Sequence, residues 1–177
     1  MDSEKYGCRI GIHSIETGGR GTQMATANQI ADYLLGMIDT EAGDAITHLK
    51  LQKIVYYCQA WHLALFGDPL FKEAVEAWQH GPVVRSVWNR FGEYGWHAIP
   101  PEVRKADSAA SLTKNQRDLV DNVWEAYGQL SGSQLRTLTH REDPWKLTRG
   151  DLSPECRSDK VIKQDLMRDF YKKSMDN

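Results

Sequence analysis

Residues 47–69, THLKLQKIVYYCQAWHLALFGDP, constrain the fold more than any other stretch of the chain. Leu51, Ile54, Val55, Cys58 and Leu65 recur at helical spacing, and Tyr57, Trp61 and Ala64 form a second apolar stripe. A helix apolar on nearly every side has to be covered on several of them, so this one is expected at the centre. Thr47 supplies an N-cap, and Gly67 followed by Pro69 supplies a stop. Only Lys50 and Lys53 are left as a short charged face. Tyr56, Tyr57, Trp61 and His62 are expected to pack in the core rather than to meet a ligand.

Helices able to cover that centre follow from the same reasoning. Thr26 with Gln29 forms a capping box ahead of Ile30, Tyr33, Leu34, Met37 and Ile38. Gly81 and Pro82 suit an N-cap and first helical residue, continued by Val84, Val87, Trp88 and Phe91 and stopped at Gly92. Thr113 with Gln116 opens a helix whose stripe is Leu119, Val120, Val123, Trp124 and Tyr127, with Gly128 as its stop. Ser131 with Gln134 opens the next, and Leu130 can staple to Leu135. A last helix is expected from Ser158, with Ile162, Leu166 and Phe170 facing inward and Lys172 and Lys173 suiting the dipole at its end. Residues 93–111 read as a long connection. The expected fold is mostly α: a compact single-domain bundle of about six helices with a short β-hairpin-like insertion near residues 69–79. Residues 1–23 read as a mobile leader and 24–173 as the domain, with Met24 a second candidate for the start of translation.

Composition excludes several function classes. Among 177 residues, 26% are charged and the net charge is −2, so there is no basic field and nucleic acid is not expected as the main partner. Cys8, Cys58 and Cys156 are odd in number and far apart, which suits neither a disulfide framework nor a zinc knuckle. No apolar run approaches the roughly 20 residues of a membrane span, and the N-terminus lacks a secretory signal's apolar centre. A cytoplasmic protein without membrane association is expected.

No catalytic constellation emerges either. Phosphate-cradling glycine loops, nucleophile elbows and H-E-x-x-H are absent from the sequence. His48 and His62 are the only histidines that could share a helix, and about 21 Å of axis separates them. Glu73 and Glu76 could pair as carboxylates, but solvated charge is the simpler reading. No enzyme activity, metal or cofactor is expected. His80, in the His-Gly-Pro bend, has three readings: a turn residue bonding nearby backbone, a partner contact, or a catalytic group. In THREDPWKLTRG, Pro144 is expected to keep the segment non-helical, and Trp145 is either a core lid or an interface anchor ringed by Arg141, Lys146 and Arg149.

Three blocks, KLQKIVYYCQAWHLALFGDPLF, EAWQHGPVVRSVW and LSGSQLRTLTHREDPW, in this order and spacing, resemble the Panacea antitoxin domain, the SocA-like group that includes phage-associated GepA-type proteins. The resemblance runs from about Met24 to Phe170. It implies a mostly helical antitoxin of a type II-like toxin–antitoxin system that neutralises a cognate protein toxin by direct binding. It also implies a variant in which an adaptor delivers the toxin to the ClpX/ClpXP protease. Lys50, Leu51, Gln52, Lys53, Tyr57, Gln59 and Trp61 of the first block fit the family pattern. So do Glu76, Trp78, His80, Gly81, Pro82 and Val83 of the second, and Thr139, His140, Pro144 and Trp145 of the third. Cys58, Ala60 and Arg85 depart from it, so a contact made by Arg85 is not expected to be general to the family. Lys53, Tyr57, His80, Arg85, Trp88, His140 and Trp145 are the expected partner-binding residues. The competing readings are a small hydrolase using His80 and Glu76, and a DNA-binding autorepressor.

Overall fold

The computed structural model describes residues 23–175. The expectation of a mobile leader falls almost wholly on residues 1–22, outside the described part. At the centre is α2 (His48–Phe66), capped by the Thr47 hydroxyl, which accepts from the Lys50 N–H, and closed by Gly67 at φ 80°. Residues 51–64 of α2 are buried without a break. The expected charged face is therefore only half real, since Lys53 is fully buried. Covering α2 are α1 (Ala27–Gly36), α5 (Lys114–Tyr127), α6 (Gly132–Arg141) and α8 (Gln164–Met175). The three capping boxes expected from the sequence, at Thr26, Thr113 and Ser131, are all formed.

The His-Gly-Pro bend belongs to a hairpin, which corrects the expected helix start at Gly81. Strand β1 (Val75–Trp78) pairs antiparallel with β2 (Gly81–Val84), Trp78 opposite Gly81 and Val75 opposite Val84, so the hairpin lies later than residues 69–79. Pro82 is tolerated in a strand because of its register. Opposite it, the Ala77 N–H donates outward to Lys160 O at 2.8 Å, so this pair makes no ladder bond that proline would break. Ile162 N–H donates to Val75 O at 2.8 Å, and residues 160–162 thus line the outer edge of β1. On the inner edge, Gln52 of α2 acts as a surrogate strand: its Oε1 accepts from Val84 N–H at 2.9 Å and its Nε2 donates to Val84 O at 3.4 Å.

Helix α3 (Arg85–Phe91) starts directly from β2 without a side-chain cap. Its Arg90 forks onto the buried Asp32 carboxylate at 2.6 and 3.0 Å, and the Lys105 N–H donates to the same group at 2.8 Å. That ion pair joins α1, α3 and the connection after α3, which contains two 3-10 turns and the short α4 (Ala106–Ala110). Residues 143–149 are helical after all, as α7 (Asp143–Arg149): Pro144 sits in the first turn, where the missing N–H needs no partner. The last helix begins six residues later than expected because 160–162 are taken up by β1. Its inward face is Met167 and Tyr171, with Leu166 and Phe170 only half-buried.

Candidate functional site

A groove of about 820 Å³ opens beside the hairpin turn. Its wall is built from Glu76 outward. The Glu76 carboxylate accepts from Arg85 Nε at 3.0 Å and Nη2 at 2.7 Å, and from Trp78 Nε1 at 2.7 Å. Arg85 is thereby held over the Trp78 ring, 5.4 Å from its centroid. Trp88, one turn along α3, stands 5.5 Å from Trp78 and 6.5 Å from His48 of α2. Trp96, from the connection after α3, meets the His80 ring edge-on at 6.1 Å. The groove thus presents a row of indole faces, of which Trp88 is 42% and Trp96 70% exposed, beside cationic groups. Exposed tryptophan next to arginine is the composition of interface anchors.

Gly81 determines how close α2 comes to the turn. Its φ is 100°, and a Cβ there would lie 2.6 Å from Lys53 Cε and 2.8 Å from Thr139 Oγ1. Only glycine allows both approaches. Lys53 Nζ then donates to Pro82 O at 2.9 Å. Burial, reinforced by the nearby Arg136 cation, pushes the Lys53 ammonium down to about 7. Burial likewise brings His48 down to about 4, with Lys53 contributing.

The structure divides the expected partner-binding residues into two groups. Lys53, His80, Arg85 and Trp88 share the groove. Tyr57, His140 and Trp145 do not line it. Tyr57 is fully buried, stacks on Tyr127 at 4.0 Å, and donates to Glu142 Oε1 at 3.1 Å, while Tyr171 donates to Oε2 at 2.8 Å. Burial raises the Glu142 carboxyl to about 8 in spite of these two bonds. Trp145 is buried as a lid: its Nε1 donates to Trp78 O at 2.8 Å, and His140 stacks on it at 3.9 Å. Beneath it, Arg149 donates to Ala77 O at 3.0 Å and to Ser153 and Cys156 O at 2.7 Å each, fastening the following loop to β1.

His80 makes no hydrogen bond to the described residues, so the expected turn histidine bonding nearby backbone is not what forms. Nor does it bond Glu76, whose oxygens are engaged by Arg85 and Trp78. Cys58 is buried and its thiol is pushed well up by desolvation. Among the described residues no group of three or more His, Cys, Asp or Glu could hold a metal ion, and no helix is long and apolar enough to cross a membrane. Trp96 was missed by sequence reasoning because it falls in an irregular connection. The usable signal was a tryptophan flanked by glycine, EYGWHA, with no stripe to bury it.

Comparison with known proteins adds the family. The sequence model described as "Antitoxin SocA-like, Panacea domain" matches residues 51–146, more than half of the chain. The chain is 30% identical over 109 residues to "Antitoxin SocA" of Caulobacter vibrioides (strain NA1000 / CB15N), covering 56% of this chain and 58% of that relative. The alignment therefore spans little more than half the length of the relative. No solved structure matches.

Proposed function

We propose that this chain, which belongs to the SocA-like Panacea antitoxin family, neutralises a protein toxin by binding it directly through the groove beside the hairpin turn. The observation that carries the reading is the pair of exposed indoles, Trp88 and Trp96, set beside Arg85 and His80 on the matched domain. Apolar aromatic area left in water has no folding rationale at such a site, and a partner that covers it gains both hydrophobic burial and cation–π contact. The chain acts without catalysis, metal or cofactor, in the cytoplasm where its toxin is made. A hydrolase built on His80 and Glu76 draws no support from the geometry, since the two are not joined. An autorepressor draws none from the electrostatics, since the groove is flanked by isolated cations rather than a continuous basic stripe.

The test is co-expression with the product of the adjacent reading frame, supplied as the toxin. Wild type is expected to restore growth. His80→Ala and Trp88→Ala are expected to fold with unchanged melting temperature and to protect poorly, each weakening the complex by about thirtyfold. Full protection by both variants would remove the groove from the function. Toxin abundance, followed with and without ClpXP, separates the two modes. Sequestration leaves the toxin in a stable complex, whereas an adaptor makes it disappear only when the protease is present.

A further inference from the structure

We propose that Lys53, His80, Arg136 and His140 form a carboxylate-binding subsite at the hairpin turn, which takes an aspartate or glutamate side chain of the bound toxin. The inference rests on the toxin-binding reading of the groove and names the chemistry of the partner there. Arg136, Thr139 and His140 share one face of α6, because residues three and four apart stack on a helix. Thr139 lies against the bare backbone of Gly81, where Lys53 arrives from α2. The turn thus gathers cations from two helices around itself, with His80 next in the chain. Lys53 and His80 line the groove.

What sets this cluster apart is the lack of any anion among the described residues to answer it. Among the described residues Lys53 Nζ has only the neutral Pro82 carbonyl. The Arg136 guanidinium donates to no acceptor among the described residues, and its Nε is shut away from water. His140 Nε2 is likewise buried without a partner among the described residues. Buried polar atoms left in that condition destabilise the free protein; they act on a bound carboxylate through their charge and polarity, while the exposed His80 and the half-buried Arg136 are the groups that it reaches directly. The electrostatics agree. Burial depresses Lys53, His80 and His140, Arg136 depresses all three further, and no carboxylate among the described residues acts on any of them in the opposite sense. The acid of the hairpin, Glu76, is already bound by Arg85 and Trp78, and Asp159, which lines the groove, acts on Arg85. A single compact cluster fits one carboxylate. A nucleic acid backbone calls for a row of cations along a strand, and the chain carries a net charge of −2.

The direct experiment titrates the full chain with an acetylated tri-glutamate peptide while following the histidine ring resonances by NMR. Binding is expected to move His80 and His140 and to raise the pKa of both, because a bound anion favours the protonated ring. Arg136→Met, which keeps the length of the side chain, is expected to weaken the peptide by about tenfold or more, and Arg136→Lys by less. Three results would overturn the subsite: ring resonances that ignore the peptide, an Arg136→Met protein that binds it as wild type does, or a response to a short DNA duplex but not to the peptide. With the toxin, Arg136→Glu is expected to lose protection. If it protects while Trp88→Ala does not, the subsite fails and the antitoxin reading stands. If both protect, the groove reading fails with it.

Discussion

Gly81 and Glu142 are two residues whose chemistry other side chains replace poorly. At Gly81 the backbone is left-handed, and the space a Cβ would need is occupied by Lys53 and Thr139. Gly81→Ala is expected to lose about 1–3 kcal/mol to backbone strain, with a further loss as Lys53 is pushed off the Pro82 carbonyl. A urea midpoint equal to wild type would contradict that. Glu142 acts through its proton. Its carboxyl is ordinarily half-ionised near 4.5 and is raised to about 8 in the fold. Between those values the unfolded chain has released a proton that the folded chain keeps, so this group's effect on stability worsens as pH rises through the window. Glu142→Gln keeps an oxygen for Tyr57 and Tyr171 and has no proton to lose. Relative to wild type, its stability is therefore expected to improve steadily from about pH 4.5 to about pH 8 and then to level off. A difference between the two proteins that stays constant with pH would show Glu142 to be ionised in the fold.

At the scale of elements, the hairpin has no sheet to lean on, and α2 takes that place. Gln52 pairs with Val84 through both ends of its amide, and Val84 is fully buried. Gln52→Ala leaves the Val84 N–H without a partner and is expected to destabilise the fold by about 1–3 kcal/mol. Hydrogen exchange should then be fastest in β1, β2 and the start of α3, while α5 and α8 keep their protection. Uniform loss across the chain would mean that the hairpin is not a separable unit. Most helices were legible because their stripes and caps are local properties: Thr26, Thr113 and Ser131 each announce a helix within four residues. The hairpin was not legible at Gly81-Pro82, because proline after glycine suits a helix start equally well. What decides for a strand is Ala77 bonding outward to Lys160, a contact far away in sequence. The same contact delays α8. Pro144 misled in the opposite direction, since a proline that ends one helix can begin another.

At the scale of the whole molecule, the site is only partly legible because burial depends on the complete fold. Lys53 and Tyr57 lie four residues apart on one helix, yet Lys53 reaches the groove and Tyr57 closes the core against Glu142. Trp88 and Trp145 each have arginines within four residues in the sequence. One is left exposed on α3, and the other is sealed between His140 and Arg149. Charge and aromatic content pointed to tryptophans beside cations, whereas the location of the groove required the hairpin. The central claim, that the toxin covers the groove beside that turn, is tested most directly by amide hydrogen exchange of the full chain with and without its toxin. Added protection is expected in residues 79–96 and 157–159, which flank the groove. Protection confined to the outer faces of α5 and α8, with the hairpin turn and α3 exchanging as in the free protein, would contradict it.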